Sequence, residues 1–96
     1  MSKYFSSNLL RRLRNEIPID SVIIGLLKMD VKNAHRILRF RCPLCFNFHT
    51  ATNDETNLAR CFDCKNNFNP IDLVMAVDGK SFIEAVEFLK NNASIK

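Results

Sequence analysis

The chain has 96 residues, 47% of them hydrophobic and 25% charged, with two glycines, three prolines, four cysteines and a net charge of +4. That composition excludes a disordered tail or low-complexity segment, and the longest apolar run, residues 22–27, is far shorter than the ~20 residues that cross a bilayer. A single domain of this size is near the lower limit at which a hydrophobic core suffices, so a further staple is expected.

Ser6 or Ser7 is expected to cap a first helix in which Leu9, Leu10 and Leu13 share one face and Arg11, Arg12 and Arg14 lie largely elsewhere. The helix should stop near Ile17, because Pro18 disfavours helical geometry in the residue before it. Pro18 suits the first turn of a second short helix with Val22, Ile23, Leu26 and Leu27 inward, a pattern that Gly25 weakens. His35 is read as an exposed residue ahead of a strand.

At residues 36–42 the period changes to alternation, with Arg36, Leu38 and Phe40 on one side and Ile37, Arg39 and Arg41 on the other. A strand with basic residues on both faces implies an open side. The stretches 49–53 and 57–61 are expected to pair as a hairpin about Asp54, Glu55 and Thr56. Asn69 and Pro70 open a helix that buries Ile71, Leu73, Val74 and Val77 and ends at Gly79. Ser81 and Glu84 form a capping box for a last helix with Phe82, Ala85, Val86 and Leu89 inward, and residues 91–96 fray.

The expected fold class is therefore α+β, a small antiparallel sheet carrying all four cysteines and flanked by helices on both sequence sides. It is read as one domain, 1–96, with N-terminal helices over 1–35, the cysteine-bearing sheet over 36–68 and C-terminal helices over 69–91.

The cysteines stand as Cys42-Pro43-Leu44-Cys45 and Cys61-Phe62-Asp63-Cys64. Two such pairs at this separation match zinc-site spacing, because each pair forms a tight knuckle and a hairpin brings the knuckles together as a tetrahedron. A thioredoxin-like redox pair expects a strand-helix alternation that the chain lacks, and a disulfide pair needs an oxidising compartment. The amino terminus lacks a signal-peptide layout, so the expected location is cytoplasmic. Four thiolates also suit iron, but one zinc ion is the leading assignment. With four protein ligands the site is closed and structural, and His49 is read as a surface or nucleic-acid-contacting residue instead of a ligand.

Through Arg41 the chain carries nine basic residues against three acidic ones, a charge of +6, and the remainder carries −2. One part of the molecule thus suits a polyanion. Arg36, Arg39, Arg41, Arg60 and Lys65 are expected to gather around the sheet, where arginine pairs with phosphate in a bidentate way. Phe40, His49 and, if exposed, Phe62 are candidates for stacking on unpaired bases, with core the leading reading for Phe62 and Phe68. The arginines of the first helix read as an ordinary solvated face.

The order strand, Cys-Pro-x-Cys, hairpin, Cys-Phe-x-Cys, then "NPIDLVMAVDGKSFIEAVEFL" resembles the zinc-binding domain at the amino terminus of bacterial and phage DNA primases. Asn69, Ile71, Leu73, Val74 and Met75 stand in the places of that family's penultimate helix. Ser81, Phe82, Glu84, Ala85, Val86 and Leu89 stand in those of its last. The segment "IPIDSVIIGLLKM" is similar to the helix before the first knuckle, so the likeness runs from about Ile17 to Leu89.

The resemblance implies a zinc ribbon flanked by helices that binds single-stranded template DNA through basic and aromatic residues. Cys45 replaces the histidine of most bacterial members, as in phage-type members. The stretch "FNFHTATND" lacks the family's Lys-Thr-Pro-Ser-Phe run, which puts template contacts from that strand in question. No paired acidic motifs for magnesium follow, so the chain is expected not to be an enzyme itself.

The leading expectation is a DNA-binding module of replication or priming that works with a separate primase core or helicase, without membrane or small-molecule substrate. The alternatives are a protein-protein adaptor without direct DNA binding and an iron electron-transfer protein.

Overall fold

The computed structural model describes residues 5–34 and 37–92. Arg36, His35 and residues 93–96 lie outside the described residues, whereas Asn91 and Asn92, expected to fray, are the end of the last helix.

Helix α1 (Ser7–Asn15) starts where the Ser6 side chain accepts a hydrogen bond from Leu9 N at 3.0 Å, satisfying one of the donors that a helix start leaves open. It ends before Pro18, which sits in extended geometry ahead of α2 (Ile19–Ser21). This single turn passes directly into a π-helical turn, Val22–Leu26, in which Leu27 N bonds Val22 O at 2.8 Å. The wider turn leaves Val22 and Ile23 buried and Ile24 exposed.

Five strands follow in sequence order, all antiparallel: β1 (Val31–Ala34), β2 (Ile37–Phe40), β3 (Thr50–Asn53), β4 (Leu58–Cys61) and β5 (Asn67–Phe68). The hairpin of β3 and β4 turns through residues 54–57 as expected. Strands β1 and β5 were not anticipated. β1 reads "VKNA", with one large apolar residue, and β5 has only two residues, so neither carries a period that could be recognised alone. The sheet consequently begins within the stretch expected to be helical.

Helix α3 (Pro70–Asp78) opens with a reciprocal capping box of Asn69 and Asp72 and stops at Gly79, whose φ of +66° is the left-handed conformation glycine adopts without steric cost. Helix α4 (Phe82–Asn92) opens on the Ser81 and Glu84 box, with Glu84 N donating to Ser81 Oγ and Ser81 N to Glu84 Oε1.

The core lies between one face of the sheet and the helices. Leu13 and Ile17, Ile19 and Ile23, Phe40, Ile71, Leu73 and Val74, and Ala85, Val86 and Leu89 form it, all essentially buried. Asn57, at φ +56°, pins the N-terminal segment to the hairpin turn. Its Oδ1 accepts from Ile19 N at 2.8 Å, and its Nδ2 donates to Arg14 O and Ile17 O at 2.8 and 2.7 Å. Those contacts satisfy backbone groups that the break between α1 and α2 would otherwise leave unpaired.

Candidate metal centre and nucleic-acid interface

The two knuckles repeat one geometry. Cys42 N bonds Asn47 O at 2.9 Å, and five residues likewise separate Cys61 N from its acceptor, Asn66 O, at 3.0 Å. In each, the residue after the second cysteine takes a left-handed conformation, Phe46 at φ +66° and Lys65 at φ +60°. Neither is glycine, so each turn carries a steric cost of about 1–2 kcal/mol. Backbone amides aim at the sulfurs: Leu44 N and Cys45 N at Cys42 Sγ, 3.4 and 3.5 Å, and Cys64 N at Cys61 Sγ, 3.5 Å.

The four sulfurs lie within 4.8 Å of one another, with Cys42 to Cys64 at 3.7 Å and Cys45 to Cys61 at 3.5 Å. Ligands about 2.3 Å from a tetrahedral zinc stand about 3.8 Å apart, so this donor set fits one structural zinc ion. All four cysteines are free thiols, with no disulfide among them. Backbone amides also act on the ionisation of Cys61. Burial opposes its ionisation, yet the backbone N–H groups of Cys64 and Asp63 and hydrogen bonds from Cys45 and Cys64 bring it down to about 6. In Cys45 the Asn47 N–H works in the same direction, but burial and hydrogen bonding to the other three sulfurs prevail and push it up to about 12.

Strand register arranges the basic residues. Lys32, Arg39, Ala51, Arg60 and Asn67 are consecutive cross-strand neighbours over all five strands, and the row faces away from the core. Two residues along each strand, on the same face and nearer the cysteines, come Arg41, His49 and Phe62, with Phe62 N donating to His49 O at 3.1 Å. His49 Nδ1 meets Asp63 Oδ2, Arg41 Nη1 donates to Phe46 O at 2.8 Å, and Arg60 Nη1 donates to Asn67 Oδ1 at 3.3 Å. Because Ala51 has only a methyl group, a depression of about 540 Å³ opens between Arg39 and Arg60.

The structure thus brings Arg39, Arg41, His49 and Arg60 onto one face. Lys65 stands apart, exposed on the second knuckle. Two expectations need correction. Phe40 is 0% exposed and packs in the core, because it alternates with Arg39 and the inner face of the sheet is covered by helices, so it cannot stack on a base. Phe62, expected in the core, is 62% exposed, because it follows the buried Cys61 and returns to the outer face. Lys32, with Nζ 5.4 Å from the centre of the Phe48 ring, was missed because its strand was missed. Phe46, 64% exposed, was missed because no pattern in the sequence marks the left-handed turn that turns it outward.

A family model described as CHC2 zinc finger matches residues 5–96. The chain belongs to the CHC2 zinc finger family. Its fold is also that of a structure titled as the crystal structure of the Aquifex aeolicus primase with its zinc-binding and RNA polymerase domains: TM-score 0.70, 23% identity, 96% of this chain covered. The chain spans 23% of the length of that protein. Among curated proteins none matches. This CHC2 finger carries four cysteines, Cys45 standing where the family's name places a histidine; either side chain can complete a tetrahedron about zinc.

Proposed function

We propose that this CHC2 finger is a non-catalytic, zinc-stabilised module that binds single-stranded DNA in replication or priming, in the cytoplasm and beside a separate primase core or helicase. The observation that carries the reading is the register-aligned outer face, where Arg39 and Arg60 flank a small depression, Lys32 and Arg41 stand on the same face, and His49 and Phe62 offer aromatic rings. Guanidinium groups pair with phosphates and exposed rings stack on unpaired bases, which duplex DNA keeps enclosed. The zinc centre contributes rigidity: it ties β2 to β4 at the end where Arg41 and Phe62 stand.

Binding of the zinc-loaded protein to fluorescent single-stranded and duplex oligonucleotides over a salt series tests this. Preference for single strands, with a log-log salt slope near −3 for about four phosphates, is expected. Absence of binding at low salt would overturn it. A second reading, a protein-protein adaptor, is favoured by Leu44, 52% exposed at the first knuckle. It requires a partner that survives nuclease treatment, with no DNA affinity.

A further inference from the structure

The depression over Ala51 has chemically distinct ends. Arg39 and Arg60 form its sides, and Phe62, toward the cysteines, supplies an aromatic wall. At the opposite end lie Asn53, a neutral amide, and Asp54, a carboxylate opposite in sign to the arginines. Asn53 Oδ1 accepts from Glu55 N at 2.9 Å, which fixes the amide, and its Nδ2 has no acceptor among the described residues. Asp54 is exposed and makes no ion pair among the described residues.

A carboxylate is out of place in a surface that serves only phosphates, since it repels them. Facing a base edge it has a use, because it accepts hydrogen bonds from exocyclic amino groups. A volume of about 540 Å³ lies in the range that encloses a small ligand, and here such a ligand would meet a ring, two cations, the fixed Asn53 amide and the Asp54 carboxylate together.

We propose that this depression is a one-base reading site: Phe62 stacks on a single unpaired base, Arg39 and Arg60 hold the flanking phosphates, and Asp54 with Asn53 reads the base's hydrogen-bonding edge. This rests on the single-stranded DNA reading above and adds a specificity to it. Cytosine presents its N4 amino group to Asp54 as donor and its ring acceptors to Asn53 Nδ2. Thymine presents the O4 carbonyl oxygen where the amino group stood, directly against the carboxylate. The site therefore prefers cytosine to thymine. The two pyrimidines are close in size, so the preference separates edge recognition from stacking strength.

The test compares short oligo-dC and oligo-dT at neutral pH, with zinc content measured on each variant to verify the fold. Wild type is expected to bind oligo-dC about fivefold or more tightly than oligo-dT. Asp54→Ala should bring the ratio to one, although losing a negative charge strengthens both complexes. Phe62→Ala should weaken both by about fivefold or more without changing the salt slope, and Phe62→Trp should restore them. Equal binding of the two oligonucleotides by wild type, or a preference that survives Asp54→Ala, would overturn the reading site while leaving DNA binding intact. Unchanged affinity in Phe62→Ala would remove its stacking element. Failure of wild type to bind either strand would overturn both this inference and the function it rests on.

Discussion

On the inner face of the sheet Leu38, Phe40, Thr52, Ala59 and Phe68 have almost no exposed surface. On the outer face Arg39, Arg41, Arg60 and Phe62 stand in solvent. One residue along a strand separates the two regimes, because successive side chains point to opposite sides. The fold's stability and the proposed binding are thus carried by alternating positions on the same strands, and each can be altered without the other. Only the zinc centre belongs to both, since Cys61 lies in the inner row while its neighbours Arg60 and Phe62 lie in the outer.

Metal removal should erase the contrast altogether. A structural zinc contributes on the order of 10 kcal/mol, comparable with the whole stability of a small domain, so chelation is expected to unfold the sheet and abolish binding together. Circular dichroism followed during zinc release checks this, and an unchanged spectrum would deny the ion its structural role.

Phe40→Ala acts on the inner face alone and is expected to cost about 3–5 kcal/mol, read as a lower urea midpoint. Asn57→Ala removes three hydrogen bonds at the hairpin turn and is expected to cost about 2–3 kcal/mol by the same measurement.

Arg39→Ala with Arg60→Ala sharpens the other side of the comparison. The unfolding free energy should change by no more than about 0.5 kcal/mol, while the salt slope of binding becomes shallower by about 1.4. A large loss of stability here would show that the outer face also carries the fold.

The smallest effect belongs to Glu84, remote from the sheet. Hydrogen bonds from the Ser81 backbone and hydroxyl lower its carboxyl below the usual value. Its stabilising contribution is therefore present above the unfolded value and lost as pH falls through the lowered one. Stability of Glu84→Gln should be less sensitive to pH across that acidic window than that of wild type.

What could be read from the residues depended on whether the determining interaction was local. Ser6, Asn69, Gly79 and the Ser81 and Glu84 pair act within one helical turn, so the helix starts and the stop at Gly79 were legible. The two cysteine pairs were legible because ligand spacing is local within each knuckle. The π-helical turn was not, since tertiary packing of Val22 and Ile23 against the core decides it. β1 and β5 exist only through their pairing partners, and with them went Lys32 and the five-strand row. Phe62 was misread from the general tendency of aromatics to be buried, whereas its side of the sheet follows from counting along β4 from Cys61.

The three Asn57 contacts join residues 38 to 43 positions apart. Closing so long a loop is entropically unfavourable until both ends have structure of their own. Assembly is then expected to have a direction: the metal-bound hairpin should form first and present Asn57 as a socket, with the break between the first two helices docking into it last. Hydrogen exchange during refolding should accordingly protect the amides of β3 and β4 before that of Ile19.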